Sequence, residues 1–578
     1  MHALGVFRSL LVRVSLVVPT VGASLVLAAP APRFAQSAAQ GLPTLRLDYY
    51  ADQQPLTFDP ALGHVLSRGS APVVGGTSDW ETLALVDATL VHVLPNGKVA
   101  PDLATWTVSK NHLVYSFTIK PNARFSNGHP VTAADAAFSI ERTLAPATHS
   151  GVAMTYLGLI RGARTFHAGE TNKLSGLSVL GKRVLQITIS KPAAYFLASL
   201  SVPPAAVLDP AVVTGKPLGF RDAKTGAYKG NYLTDTCSGN QGAGPFMFLC
   251  RSRTSINSFY PSGRTPVYTL VPDPYYYGRQ PHIRIELPVL NGPVASYGAY
   301  LASKLDAYGI EPGGRYLGQW RGRKELHEYP SGTVVWLTPN TLMPPFDNVH
   351  CRLAVSYAID LDVLNNQVLR GTERSTYAVV PKGILGYYPG NDNPHYNQAR
   401  ARLELARCPH RTVPFRLTIA TPFQISSTAI VRMLRRVGMN VKLEVLSVDG
   451  WLNVDSQSLG RTHTQLVVSV YGQDYPDPQD FCTLLLRSGQ PYDVGGWHSP
   501  RYDSLVDRAD VTFDRKKRAQ LYIQAQHIAL SQGAWISWSY LVNFVLLKPY
   551  VHGMVGTEAY ADMVPANLDW AKVSISKH

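Results

Sequence analysis

The chain's 578 residues carry 54 Lys plus Arg against 39 Asp plus Glu, a formal charge of +15, with 45% hydrophobic and 10% aromatic residues. That apolar content fills a large core over about three or four domains and excludes intrinsic disorder. Five cysteines without any Cys-x-x-Cys argue against a disulfide scaffold and a zinc module, and the charge by itself admits nucleic acid, anionic lipid or a basic exported protein.

Residues 1 to 31 read as a secretory signal peptide. Arg8 and Arg13 precede a charge-free run from Val14 to Ala29, and Ala29-Pro30-Ala31 offers small residues to a signal peptidase. The run's 16 residues, broken by Pro19, fall short of the ~20 that span a bilayer. Cleavage after Ala31 removes both arginines and no acid, so +15 becomes +13. An exported protein seldom meets nucleic acid, and its basic surface is expected to face anionic lipid, cell wall or a membrane partner. The first 40 residues hold no cysteine for lipid attachment, so a soluble periplasmic or extracellular protein is expected.

After a Pro/Ala/Gln-rich linker to about Leu42, residues 45 to 50 alternate like a first strand. A Gly/Ser-rich loop runs to Ser78, and a long helix-compatible stretch begins near Trp80. Leu113, Tyr115, Phe117 and Ile119 then fall on one face of a strand. Asn127-Gly128 makes a turn, Thr132 is a helix N-cap with Asp135 three residues on, and Ala133, Ala137, Ile140 and Leu144 share a helical face. From 415 to 446 the pattern is strand, helix (Ile425 to Val437), a Gly438 stop and a second strand. Short loops around one helix predict a parallel βαβ crossover. No repeat of 20 to 50 residues is present, so the class is α/β with several lobes.

Catalytic signatures are absent: there is no G-x-S-x-G, no H-E-x-x-H and no phosphate loop. Asp474, Asp477 and Asp480 recur every third residue, which is not calcium-loop spacing, and a solvated acidic loop accounts for them. Cys237 and Cys250 bracket a glycine-rich segment and are a candidate disulfide, whereas Cys351, Cys408 and Cys482 read as small core residues. The basic run Arg400, Arg402, Arg407, Arg411 and Arg416 reads as a solvated face, with partner docking as the alternative.

A series of blocks carries a resemblance. Pro101-Asp-Leu-Ala-Thr-Trp-Thr-Val-Ser109 is followed by Tyr115 to Asp135 (YSFTIKPNARFSNGHPVTAAD), Gly242-Ala243-Gly244-Pro245-Phe246, Asp273-Pro274-Tyr275-Tyr276-Tyr277-Gly278, and Pro344-Pro345-Phe346-Asp347 with Arg352 and Ala358-Ile359-Asp360. Asp474-Tyr475-Pro476-Asp477-Pro478 and Tyr502-Asp503-Ser504-Leu505 complete the order. The chain resembles the family 5 extracytoplasmic solute-binding proteins of ABC transporters, the oligopeptide, dipeptide and nickel binders, over about residues 45 to 575. It departs from the family's pattern at His112, where Gly is frequent, at Asn127, where Asp is usual, and at Asp273, where Asn is usual.

The resemblance implies a hinged clam of two lobes, the periplasmic-binding-protein-like type II fold with an additional inserted domain. Behind the signal peptide (1–31) and linker (32–44), it places domain I at 45–80, 196–330 and 546–578, domain II at 81–195 and domain III at 331–545. Asp474 matches the position that pairs with a peptide's α-ammonium, and Tyr475 follows it in the same block. Tyr471 and Tyr156 match aromatic residues of the pocket, and Ser78 and Trp80 stand where relatives run their backbone beside the ligand. The implied function is a monomeric, non-enzymatic receptor, without metal or cofactor, that delivers a peptide or other small solute to an ABC permease. An exported hydrolase with dispersed catalytic residues, or a solute sensor or peptide chaperone on the same fold, remain the alternatives.

Overall fold

In the computed structural model three larger sheets carry the chain, and the side-chain alternation read from the sequence decides which face of each is buried. The structure describes residues 41–47, 49–50, 59–61, 79–94, 97–213, 220–221, 228–229, 242–249, 267–290, 292–310, 316–390, 393–455, 458–554 and 568–577.

The strand predicted around residue 115 is Val114–Ile119, and Tyr115, Phe117 and Ile119 are buried as a period of two requires. It lies between Ala104–Val108 and Val184–Thr188 in an antiparallel sheet that Leu177–Val179 completes. The following turn needs a glycine, since Gly128 sits at φ 88°. Helix Ala133–Leu144 then starts on a reciprocal cap: Thr132 Oγ1 accepts from the Asp135 N–H and Asp135 accepts from the Thr132 N–H at 2.8 Å. The predicted face of Ala133, Ala137, Ile140 and Leu144 is buried.

In the second sheet, Thr44–Arg46 runs parallel to Arg284–Leu290, which pairs antiparallel with Val267–Pro272, and Phe246–Phe248 follows. Tyr49–Tyr50 joins Arg284–Leu290 too, so the first strand read from the sequence comes in two pieces. The helix expected from Trp80 is short, Asp79–Val86. Beyond it, Thr89, Val91 and Val93 favour extended backbone, and Val91–Val93 pairs with Val99–Pro101.

The third sheet orders Ala307–Ile310, Ile536–Leu547, Leu326–Pro339, Leu466–Tyr471, Phe415–Ala420 and Val441–Leu446, with Glu373–Ser375 on Ile536–Leu547. The predicted crossover is present: Phe415–Ala420 and Val441–Leu446 are parallel, and helix Gln424–Arg436 between them is followed by Gly438 at φ 102°. Leu326–Pro339 and Ile536–Leu547 pair along their length, with bulges between Pro330 and Val334 and between Val335 and Trp336. One end of this ribbon, at Val335, Leu337 and Ile536, packs in the core of the third sheet. At the other end Leu547 packs with Leu45, Ile285 and Trp570 in the core of the second. Long strands thereby join the lobe built on the third sheet to the first lobe, which holds the first and second sheets, tied together by Ser126 bonding to Gly242 O and Asp273. Among the described residues no helix is long and apolar enough to cross a membrane.

Two cysteines read as plain core residues require correction. Cys351 and Cys408 are buried, but they form a disulfide with Cα atoms 4.9 Å apart. The cause is tertiary. Asn348 caps helix Val349–Ala358, Asn397 caps helix Gln398–Arg407, and the Asn397 N–H donates to Tyr357 O at 2.8 Å, so packing brings Cys408 at the second helix's end against Cys351 in the first. Cys482 is a buried free thiol, as read, and Cys237 and Cys250 lie outside the described residues. A cross-link between residues 57 positions apart stabilises by about 4 kcal/mol in the chain-entropy account. Replacing both cysteines by serine (Cys351→Ser with Cys408→Ser) is therefore expected to cost ~2–5 kcal/mol, read from the urea midpoint, and an unchanged midpoint refutes it. The basic run is solvent-facing, as read: Arg400 and Arg407 flank the buried Glu404 at 2.9 and 3.8 Å, and Arg416 meets Glu444 at 3.8 Å.

Candidate functional site

The acidic block lies where strand Leu466–Tyr471 leaves the third sheet and turns into helix Pro478–Leu486. Local chemistry sets the turn. Asp477 caps the helix by accepting from the Gln479 N–H at 2.9 Å, and Pro478, with no N–H to satisfy, occupies the first position. The block is not the solvated loop its charge suggested: Asp474, Asp477 and Asp480 are 8%, 9% and 0% exposed. Their burial is tolerated because each is bonded. Arg518 grips Asp477 through two 2.6 Å bonds, and Asp480 Oδ2 accepts the Asp474 N–H at 2.8 Å.

Asp474 is held by tyrosines from both lobes. Tyr156, on the short helix Ala153–Leu157 of the first lobe, donates to Asp474 Oδ2 at 2.6 Å. Tyr471 Oη lies 2.6 Å from that same oxygen and 3.0 Å from Asp480 Oδ1, so one phenol bridges two carboxylates. Burial first, and then the charge of Asp474, push both phenols well above their ordinary range, so they stay protonated as donors. Burial and Asp474 likewise push Asp480 up toward its neutral form. Tyr475 is buried edge-on to Tyr156 with ring centroids 6.4 Å apart, and its hydroxyl donates to Gln479.

The lobes also touch beside this cluster. The Ala194 N–H donates to Asp510 O at 2.8 Å, and the His112 ring stacks on Phe513 at 3.7 Å. His112 has φ 55°, a left-handed conformation suited to glycine, which accounts for the glycine frequent in the family and which His112 adopts here. Of the other two departures, Asn127 donates to Asp209 at 2.6 Å and Asp273 accepts from Ser126 Oγ at 2.8 Å.

A cleft open to solvent runs between Asp474, Tyr475 and Pro476 on one side and Leu83, Asp87 and Ser201 on the other. The expected residues divide accordingly. Asp474 and Tyr475 line the cleft, while Tyr471 and Tyr156 bond to Asp474 without lining it. Trp80 stands in helix Asp79–Val86, which supplies Leu83 and Ala84 to the wall, and Ser78 lies outside the described residues. Asp87 was missed. Its signal was present, since it is the one Asp, Glu, Lys or Arg between Leu83 and Val93.

Comparisons with known proteins cover most of the chain. The family described as "Bacterial extracellular solute-binding proteins, family 5 Middle" matches residues 98–493. The dipeptide-binding protein DppE of Bacillus subtilis is 24% identical over 523 residues, covering 87% of this chain and 88% of that protein. Among solved structures, the Escherichia coli murein tripeptide binding protein MppA superposes with a TM-score of 0.70 at 21% identity, covering 93% of this chain and 98% of that one. Listeria monocytogenes OppA bound to peptide gives a TM-score of 0.70 at 18% identity, covering 93% and 100%. These likenesses establish the two-lobed α/β binding-protein fold.

Proposed function

This chain belongs to the bacterial extracellular solute-binding proteins of family 5, and we propose that it is the receptor of an ABC importer, enclosing a peptide-like solute between its lobes for delivery to a membrane permease. The observation that carries this reading is the setting of Asp474. Its carboxylate is almost fully withdrawn from water at the wall of the cleft, and Oδ2 is held by hydroxyls from both lobes. Neutral hydroxyls orient a carboxylate without cancelling its charge. A ligand ammonium does cancel it, through a charge-assisted bond in a poorly hydrated site. Because Tyr156 comes from one lobe and Asp474 from the other, that bond forms fully only when the lobes are closed, and the ligand's preference for the closed state then drives closure.

Titration calorimetry on the purified protein tests the reading, first with a mixed di- to hexapeptide library and then with the same library N-acetylated. Binding of the free-amine library and at least a tenfold loss on acetylation are expected. Equal binding of both libraries refutes recognition of the amino terminus, and absence of binding to either refutes the peptide reading.

A further inference from the structure

The segment Leu83 to Val93 is apolar except for Asp87, Thr89 and His92. Asp87 ends helix Asp79–Val86, with its N–H returning to Leu83 O at 2.7 Å, so the backbone anchors it in place. Asp87 is 6% exposed, and among the described residues neither carboxylate oxygen has a hydrogen-bond partner. Backbone crowds one side: a Cβ on Gly242 would stand 2.2 Å from Asp87 Oδ1, so this contact demands glycine. The nearby charges do not satisfy the group. Asp59 repels it, and Arg142, which attracts it, is itself bonded to Asp59 through both guanidinium nitrogens. Burial and Asp59 push the Asp87 carboxyl well above the usual carboxylate range, with Arg142 offsetting only part.

Asp87 lines the same cleft as Asp474, and so does Asp102, which is bonded to Tyr277 and to the Thr89 N–H. Among the described residues the lining holds no lysine or arginine, and His92 is its one base. A carboxylate kept from water and without a donor is costly. A ligand cation reaching it converts that cost into a charge-assisted contact. We infer that the cleft selects ligands bearing a second cationic group besides the amino terminus, and that Asp87 is the residue that receives it. The class is a short peptide with an amine-bearing side chain such as lysine, whose flexible stem carries a compact charge with three donors. This inference rests on the peptide reading above.

The test uses the full exported chain at pH 7 with the tripeptides Lys-Ala-Ala, Ala-Lys-Ala and Ala-Ala-Lys, each paired with its norleucine counterpart, which keeps the stem and removes the charge. In the wild-type protein, lysine at one or more positions is expected to bind at least tenfold tighter than norleucine. Asp87→Asn should reduce that ratio below threefold, whereas Asp474→Ala should weaken both peptides and preserve the ratio. If the norleucine peptides bind and no lysine position reaches tenfold, the inference falls while the peptide reading stands. If neither series binds, both fall, and a ratio that persists in Asp87→Asn removes Asp87 from the role. Asp87→Ala provides a second removal of the charge if Asp87→Asn does not fold, and the wild-type titrations depend on neither variant.

Discussion

Asp474→Ala is expected to weaken binding of free-amine peptides by at least tenfold, with little change in folding stability. If the carboxylate pairs with the ligand ammonium inside the closed cleft, its removal leaves that cation buried among neutral phenols. Truncating one member of a buried charge pair costs ~2–5 kcal/mol, and about 1.4 kcal/mol corresponds to a factor of ten. Stability is less affected because deletion also relieves the repulsion that pushes Asp480 up, which offsets the loss of the bonds from Tyr156 and Tyr471. Tyr156→Phe removes one orienting bond to Asp474, and Tyr471→Phe removes one to Asp474 together with the contact to Asp480; each should have a smaller effect, since a neutral hydrogen bond contributes ~0.5–1.5 kcal/mol. Calorimetry with one free-amine peptide and its N-acetylated form decides the matter. Binding that survives both acetylation and Asp474→Ala unchanged would mean that the ligand carries no ammonium there, and the peptide reading would give way to another solute.

The second large effect concerns stability. Arg518→Ala is expected to cost ~3–5 kcal/mol, the usual penalty for stranding a buried charge. Arg518 is 5% exposed and makes a two-pronged contact with Asp477, and it also donates to Ala509 O at 3.2 Å. Behind it, Tyr522 and Thr483 both donate to the buried Asp510. Without the guanidinium, Asp477 and Asp510 are left buried with no compensating cation from Arg518, and burial already pushes Asp510 up to about 6. Asp477→Asn separates this from the helix cap, because asparagine caps about as well as aspartate but cancels the charge. The double substitution Asp477→Asn with Arg518→Met should therefore be less damaging than Arg518→Ala alone. Urea denaturation of the three variants measures this, and an Arg518→Ala midpoint equivalent to less than about 1 kcal/mol would show the pair to be dispensable. Since Asp477 begins the helix that carries Asp480, loosening it should also blur the position of Asp474 and lower peptide affinity.

Much of the framework was legible in order along the chain because it depends on neighbours in sequence. The alternation from Leu113 to Ile119, the Thr132 cap and the 415–446 crossover are local patterns with one stable answer each, and the ordered blocks from Pro101 to Leu505 made the family and the two-lobed fold readable. Asp474 was legible as a position in a block. What surrounds it was not, because Tyr156 meets Asp474 across 318 positions, and only docking of the lobes makes that contact. Tertiary structure likewise turned three evenly spaced acids from an apparent solvated loop into a buried group with three different partners. It paired Cys351 with Cys408 through two helices whose sequences carry no mark of one another. It also left Asp87, at the cleft wall, without a donor among the described residues. Periodicity and capping are settled within a few residues, whereas burial, charge pairing and the lining of a cleft depend on groups that the chain brings together only after long-range packing.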